Sequence, residues 1–323
     1  MRTKLVVVFM VLLLLLISAC SSLGGSTDIQ QTQVAIWVEQ TVIARDIAAL
    51  TQAANQPQLP QQFPSPIVNN PGTPPTLESS SSSNLSNFDD WLENSKILLY
   101  EDVAGTGDRT RWIADALDDL GLSYFDSVDQ IGLFQSKLSS NDEWDLIIYA
   151  RENRNNDSGN LFAEIFDEYD NAGSSVIIEH WNLDDVANFS SALTAKMSRC
   201  GFTITADWYD STGSGDLLLY AHNTQNPIHN QPNSSIRLTS FNTVRWTGEL
   251  GDFLRVVPGG EGQILYGASE NNPSSKGTVI ACFDNRFILQ THATHQYERD
   301  RMVHLWENYI YNALEARYRF LGK

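Results

Sequence analysis

The chain has 323 residues, 42% of them hydrophobic and 19% charged, which excludes a wholly disordered chain and a multispan membrane protein. Lys and Arg total 21 against 39 Asp and Glu, a net charge of -18, so no broad basic face exists for phosphates and a nucleic-acid partner is excluded. Three cysteines exclude a disulfide scaffold and a Cys-rich metal protein.

Arg2 and Lys4 precede an apolar run over 5–17 and the small residues Ser18 and Ala19. The run is about 13 residues, short of the roughly 18–20 that span a bilayer, and reads as a signal peptide over 1–19. The tetrad Ile17-Ser18-Ala19-Cys20 resembles the lipobox of bacterial lipoproteins. That resemblance implies lipidation of the Cys20 thiol, cleavage before it, and a lipid-anchored, extracytoplasmic protein on the cell membrane or outer membrane. Acyl chains contribute about 0.8 kcal/mol per buried methylene, so two or three of them anchor stably. Ser21, rather than Asp, follows the cysteine, which leaves the outer membrane open.

Residues 20–55 carry the lipidated N-terminus and a spacer helix, because Ile29, Ile36, Ile43 and Leu50 recur every seventh position beside Trp37, Ala44 and Ile47. Thr32, Glu39 and Asp46 fall at the opposing positions, which weakens a coiled coil. A lone spacer, a self-associating stalk and a helix on the headgroups remain the three readings. Residues 56–88 hold Pro57, Pro60, Pro64, Pro66, Pro71, Pro74, Pro75 and a serine run, a composition that reads as a disordered linker.

Residues 89–323 read as one globular α/β domain. Of the acidic residues only Asp28, Glu39, Asp46 and Glu78 precede it, so the negative charge belongs to the folded part. Short apolar strands at 96–100, 123–125, 144–150 and 175–179 alternate with helices at 108–120, 128–138, 161–172 and 183–199. Gly121, Gly173 and Gly201 mark three of the helix ends. Continuous apolar strands between helices predict a doubly wound, mainly parallel sheet with helices on both faces. Strands follow at 202–208, 217–221, 243–246, 253–257, 263–267 and 278–283. The chain closes with a helix over 294–317, striped by Met302, Leu305, Trp306, Tyr309, Ile310, Ala313 and Leu314.

The segments KILLYED, WDLIIYA, GSSVIIEHW, KGTVIACFDNRFI and LWENYIYNAL, in that order, resemble the class I glutamine amidotransferase-like superfamily. Asp284, Phe287 and Asn308 fit its closing turn and helix. The resemblance implies a flavodoxin-like sheet. An active amidotransferase carries Cys on a Gly-flanked turn after a central strand. Here that turn reads Glu179-His180-Trp181-Asn182-Leu183, and the partner His-x-Glu is missing. The resemblance therefore implies a pseudoenzyme without the ancestral nucleophile.

Several groups are candidates for chemistry. His292, His295 and Glu298 stand at three-residue spacing near the end of the last strand, with His180 at the end of another, where open α/β sheets bind ligands. They are the first choice for a catalytic or metal site, set against loop and first-turn polar residues. Gly105 to Thr110 offers backbone donors for a phosphate but lacks Gly-Lys-Ser/Thr, and Asp108 reads better as an N-cap. Asp142, Asn155, Asn156 and Asp157 lack the spacing of a calcium loop. The carboxylate pairs at 89–90, 118–119, 167–168 and 184–185 lack the cross-cleft separation of a glycosidase. Cys200 and Cys282 are buried thiols, one disulfide or a reactive thiol, the last disfavoured because Cys200 stands at a helix C-terminus, and no cofactor motif is present.

Three functions remain: a non-catalytic domain binding an envelope protein or glycan, an extracytoplasmic hydrolase acting on glycan or peptide through residues near 292–298, and a solute-capturing lipoprotein of a transporter. The first is favoured by the anchor, the tether and the missing nucleophile. Cys20→Ser is expected to leave the protein unprocessed or released from the membrane fraction, and equal detergent partitioning of variant and wild type would overturn the lipoprotein reading.

Overall fold

A computed structural model describes residues 82–104, 110–140, 142–153, 160–188, 190–210, 218–234, 236–238 and 248–323. The signal peptide, Cys20, the spacer helix, most of the linker, the glycine loop with Asp108, the Asn155–Asp157 group and the strand expected at 243–246 lie outside the described residues. All described residues fall in one compact unit, Leu77–Lys323.

Among the described residues, ten strands form one sheet: β1 Ile97–Asp102, β2 Tyr124–Asp126, β3 Leu146–Arg151, β4 Ser175–His180, β5 Phe202–Asp210, β6 Tyr220–Ala221, β7 Gly248–Val256, β8 Gln263–Gly267, β9 Gly277–Cys282 and β10 Phe287–Gln290. Their order is β2-β1-β3-β4-β10-β9-β7-β5, with β8 beside β9 and β6 beside β8. The first five in space run parallel, in the order of a flavodoxin-like sheet. The others pair antiparallel. The chain turns back because Phe283, Asp284 and Asn285 all take left-handed backbone angles, making a hairpin that delivers β10 beside β4. Sequence patterning treats 278–283 as the last strand. It misses β10, a four-residue strand directly after this turn.

The eight α-helices described are α1 Ser82–Leu92, α2 Trp112–Asp119, α3 Ile131–Leu138, α4 Leu161–Asp167, α5 Leu183–Ala187, α6 Ser191–Cys200, α7 Pro273–Lys276 and α8 Arg299–Phe320. Successive strand residues point to opposite faces. Ile97, Leu99, Leu146 and Ile148 meet α2 and α8 on one face. Leu98, Tyr100, Ile147 and Tyr149 meet α3, α4 and α6 on the other. This two-sided burial is why the strands are continuous apolar runs, and it gives the α/β, doubly wound layering.

Differences at helix ends have local causes. α2 begins at Trp112 rather than 108, and its first N–H groups, those of Ile113 and Ala114, donate to the Glu101 carboxylate at 2.9 and 3.1 Å. The helix expected over 183–199 is two helices. Ser190 caps the second by accepting from Leu193 N at 3.3 Å. The composition boundary at 88/89 lies within α1, where Phe88 and Trp91 pack on Tyr318 of α8.

Cys200 and Cys282 are joined in a disulfide, with Cα atoms 5.7 Å apart and a sequence separation of 82. It ties the end of α6 to the end of β9. Closing a loop of that length constrains the unfolded chain by about 4–5 kcal/mol.

Beyond β10, His292 forms a bridge with Gly251 of β7. A Cβ at Gly251 would stand 1.7 Å from the Thr291 carbonyl oxygen. Gly251→Ala is therefore expected to destabilise the protein by about 3 kcal/mol, because neither backbone can yield. A urea-unfolding midpoint equal to wild type would contradict this close approach.

Candidate functional site

The parallel strands bring their carboxyl ends to one edge, and four of them end in buried polar side chains: Glu101 and Asp102 on β1, Arg151 on β3 with Glu152 just after it, Glu179 and His180 on β4, and Gln290 on β10 with His292 beyond it. A 3-10 turn, Thr294–Gln296, then folds back over them before α8. This is the edge at which doubly wound sheets bind ligands.

His295 Nδ1 lies 2.7 Å from Glu152 Oε1, and its Nε2 lies 2.9 Å from the Thr110 carbonyl oxygen. Its backbone N–H donates to the same carboxylate oxygen at 3.0 Å. Burial pulls its pKa down, but the Glu152 carboxylate outweighs this and the net displacement is upward. With both nitrogens engaged and the ring against Trp112 at 4.0 Å, His295 clamps the segment before α2 to β3. It has no free nitrogen with which to act as a base.

Glu179 stands where the resemblance places the turn preceding the nucleophile. It accepts from Gln290 Nε2 at 2.7 Å and from the Thr294 hydroxyl. Thr294 in turn accepts from Trp306 Nε1 at 2.9 Å, and Tyr309 donates to Gln290 Oε1 at 3.3 Å. Burial, with Glu152 nearby, holds its pKa well above the carboxylate range. Glu101 is pushed up to about 7 by burial, against the opposing pull of Arg111 and the α2 N–H groups. Its carboxylate serves α2 and Arg111, which lies 3.3 Å away.

His180 is buried against Tyr149 and Phe162. Burial, then repulsion from Arg151, lowers its pKa to about 3. His292 is fully buried between Trp208 and Tyr297, and neither ring nitrogen has a hydrogen-bond partner. Burial alone lowers its pKa to about 3, so it is neutral. Glu298 precedes α8 and pairs with Arg301 at 2.6 Å, half out in solvent. The structure thus buries His180, His292 and His295 among separate partners, His180 against Tyr149 and Phe162, His292 against Trp208 and Tyr297, and His295 on Glu152, and puts Glu298 on the surface.

Sequence reading missed Glu101, Glu152, Glu179, Gln290 and Thr294. A signal was present: three apolar strand runs each end in a glutamate, and parallel strands gather such ends at one edge.

A separate polar cleft of about 600 Å3 opens at the start of β10. Its lining includes Gln225, Asn226, Glu261, Gln263, Asp284 and Asn285. Asn226 and Asn285 exchange hydrogen bonds at 2.8 and 3.2 Å, while Gln225, Glu261 and Gln263 are exposed.

No protein-family model matches the chain, and no curated protein matches it significantly. Among the described residues, no helix is long and apolar enough to cross a membrane.

The neutral state of His292 has a consequence for acid stability. Its pKa falls from 6.5 unfolded to about 3 folded. Between those values the unfolded chain binds the extra proton, so stability is lost as pH falls from 6.5 toward 3, by roughly 4–5 kcal/mol if nothing relaxes. His292→Leu is expected to remove most of that loss and to be neutral or stabilising at pH 7, since two unpartnered nitrogens disappear. An unchanged difference between pH 7 and pH 4 stabilities would sink this assignment.

Proposed function

We propose that the chain is a membrane-anchored, extracytoplasmic lipoprotein whose glutamine amidotransferase-like domain binds an envelope partner, with a glycan as the preferred ligand class, and does not perform acyl transfer. The observation that carries this reading is the engagement of His295 at both ring nitrogens, beside a Glu179 held by Gln290 and Thr294. An acyl-transfer site needs an attacking atom with an adjacent base. The turn from Glu179 to Leu183 contains neither cysteine nor serine. The sheet order supports the family resemblance, although fold alone confers no activity.

The cleft at the start of β10 supports the glycan preference. Carboxamides and carboxylates on an open surface pair with hydroxyl groups as donors and acceptors, and this cleft presents them exposed. The lipobox and the Pro/Ser-rich segment support presentation away from a membrane. The hydrolase reading retains one favourable observation, the unpartnered nitrogens of His292, but that ring is closed off from solvent.

The full-length protein in detergent is expected to show no glutaminase or glycan-hydrolase turnover and to bind soluble envelope glycans in a calorimetric titration. Gln225→Ala with Gln263→Ala removes two hydrogen bonds of about 1 kcal/mol each and should weaken binding roughly 30-fold. Binding unaffected by that pair would remove the cleft from the proposal. Turnover abolished by His292→Ala/His295→Ala would replace the binding reading with the hydrolase.

A further inference from the structure

We propose that Asp184, Asp207, Glu249 and Asp252 bind a calcium ion at the corner where α5, β5 and β7 meet. One carboxylate oxygen from each residue lies within 4.8 Å of the others. Ligands around Ca2+ sit on a sphere of about 2.4 Å radius, so any two are at most about 4.8 Å apart. Mg2+ demands near-ideal octahedral geometry at about 2.1 Å and is held by one or two carboxylates with several waters, whereas Ca2+ accepts an irregular set of carboxylates. All four donors are carboxylate oxygens, the hard set that suits calcium rather than zinc or copper.

Proximity of acidic residues is not the only observation. Asp252 is completely buried. Its Oδ2 accepts from Leu183 N at 2.7 Å and Asp184 N at 3.2 Å, while its Oδ1 is buried with no partner. Asp184 Oδ1 is buried without a partner as well. A desolvated carboxylate oxygen among other carboxylates lacks the donor or cation that native interiors supply. Among the described residues, no lysine, arginine or histidine forms an ion pair with Asp184, Asp207 or Asp252.

The backbone gathers these groups. Asp207 and Asp252 are direct cross-strand partners, an arrangement of like charges that is unfavourable unless something bridges them. On a regular strand, residues 249 and 252 would face opposite sides. The register shift between Trp208 and Tyr209 sets Glu249 opposite Tyr209. One additional β7 residue is absorbed there, and Glu249 returns to the face of Asp252. α5 supplies Asp184 from above, held by the same Asp252 carboxylate. The ion would tie the outermost antiparallel strand to the helix that follows β4.

The test uses the full-length protein in detergent, stripped with a chelator and titrated with CaCl2 by calorimetry and by thermal unfolding. One Ca2+ per chain is expected, with Tm rising as free Ca2+ rises. Asp207→Asn changes an exposed side chain and leaves the Asp252 contacts to α5 in place, so it should fold and bind at least about tenfold more weakly. Asp252→Asn should lose binding. The proposal is overturned by no heat and no Tm change up to about 10 mM Ca2+, tenfold above the weak end of extracellular calcium modules. It is equally overturned by wild-type affinity in Asp207→Asn, or by tighter binding of Mg2+ than of Ca2+.

Discussion

Parallel strands buried on both faces finish together, and the polar residues that end them must then find partners inside the protein, where water does not reach. In this chain Glu101, Glu152 and Glu179 finish three neighbouring runs, and leaving any of them bare would cost several kcal/mol. Each is answered by a different element. Glu101 takes the N–H groups that open α2, Glu152 takes His295, and Glu179 takes Gln290 and Thr294. The 3-10 turn at Thr294–Gln296 exists in the place where it supplies two of those answers. α8 starts just beyond it and contributes Trp306 and Tyr309 to the same network. The lid over the edge, the start of α2 and the seat of α8 thus depend on one desolvated layer.

That dependence bears on function. An edge that binds or activates a ligand keeps polar atoms free and reachable. Here Glu101, Glu179 and His295 are consumed by the fold, and the one oxygen of Glu152 left without a partner is buried. His292 keeps its nitrogens free, yet it lies at 0% exposure between aromatic rings. In the cleft at the start of β10, Asn226 and Asn285 are tied to each other, whereas Gln225, Glu261 and Asp284 are open to solvent. Polar groups without structural obligations are the ones available to a partner.

The parallel half of the fold is legible in sequence because burial on two faces leaves a strong mark. ILLY and VII are unbroken apolar runs, and Gly173 and Gly201 end α4's turn and α6 with left-handed angles. The legible part stops where tertiary contacts replace local signals. No local residue caps α2, since the cap comes from Glu101 on β1. The start of α6 depends on Ser190, and the start of α5 on Asp252, which is distant in sequence. β10 is hidden because it is short and follows a turn of three non-glycine residues with positive φ. The disulfide joins residues 82 apart, and nothing in spacing selects between paired and free thiols. For the site, the spacing of His292, His295 and Glu298 suggested a shared centre. Helix geometry alone could not show that an extended stretch and a 3-10 turn send the first two inward and the third outward.

The antiparallel extension explains why acidic residues accumulate where they do. A flavodoxin-like sheet that ended at β10 would expose the carboxyl end of β4 and the start of α5 to solvent. β9, β7 and β5 continue the sheet past that point, so the N–H groups of Leu183 and Asp184 are covered and need an acceptor that travels with the new strands. Asp252 of β7 supplies it. Its burial, with Asp184 close by, pushes its pKa up to about 8. A carboxylate recruited to cap a buried helix start would be better stabilised by a proton or a cation than by Asp207 and Glu249. The sequence nevertheless sets Asp207 directly across from it and uses a register shift to add Glu249. A helix cap needs one acceptor. Asp207 and Glu249 lie on the strands rather than on the helix, and the proposed cation would give their approach to Asp252 a role.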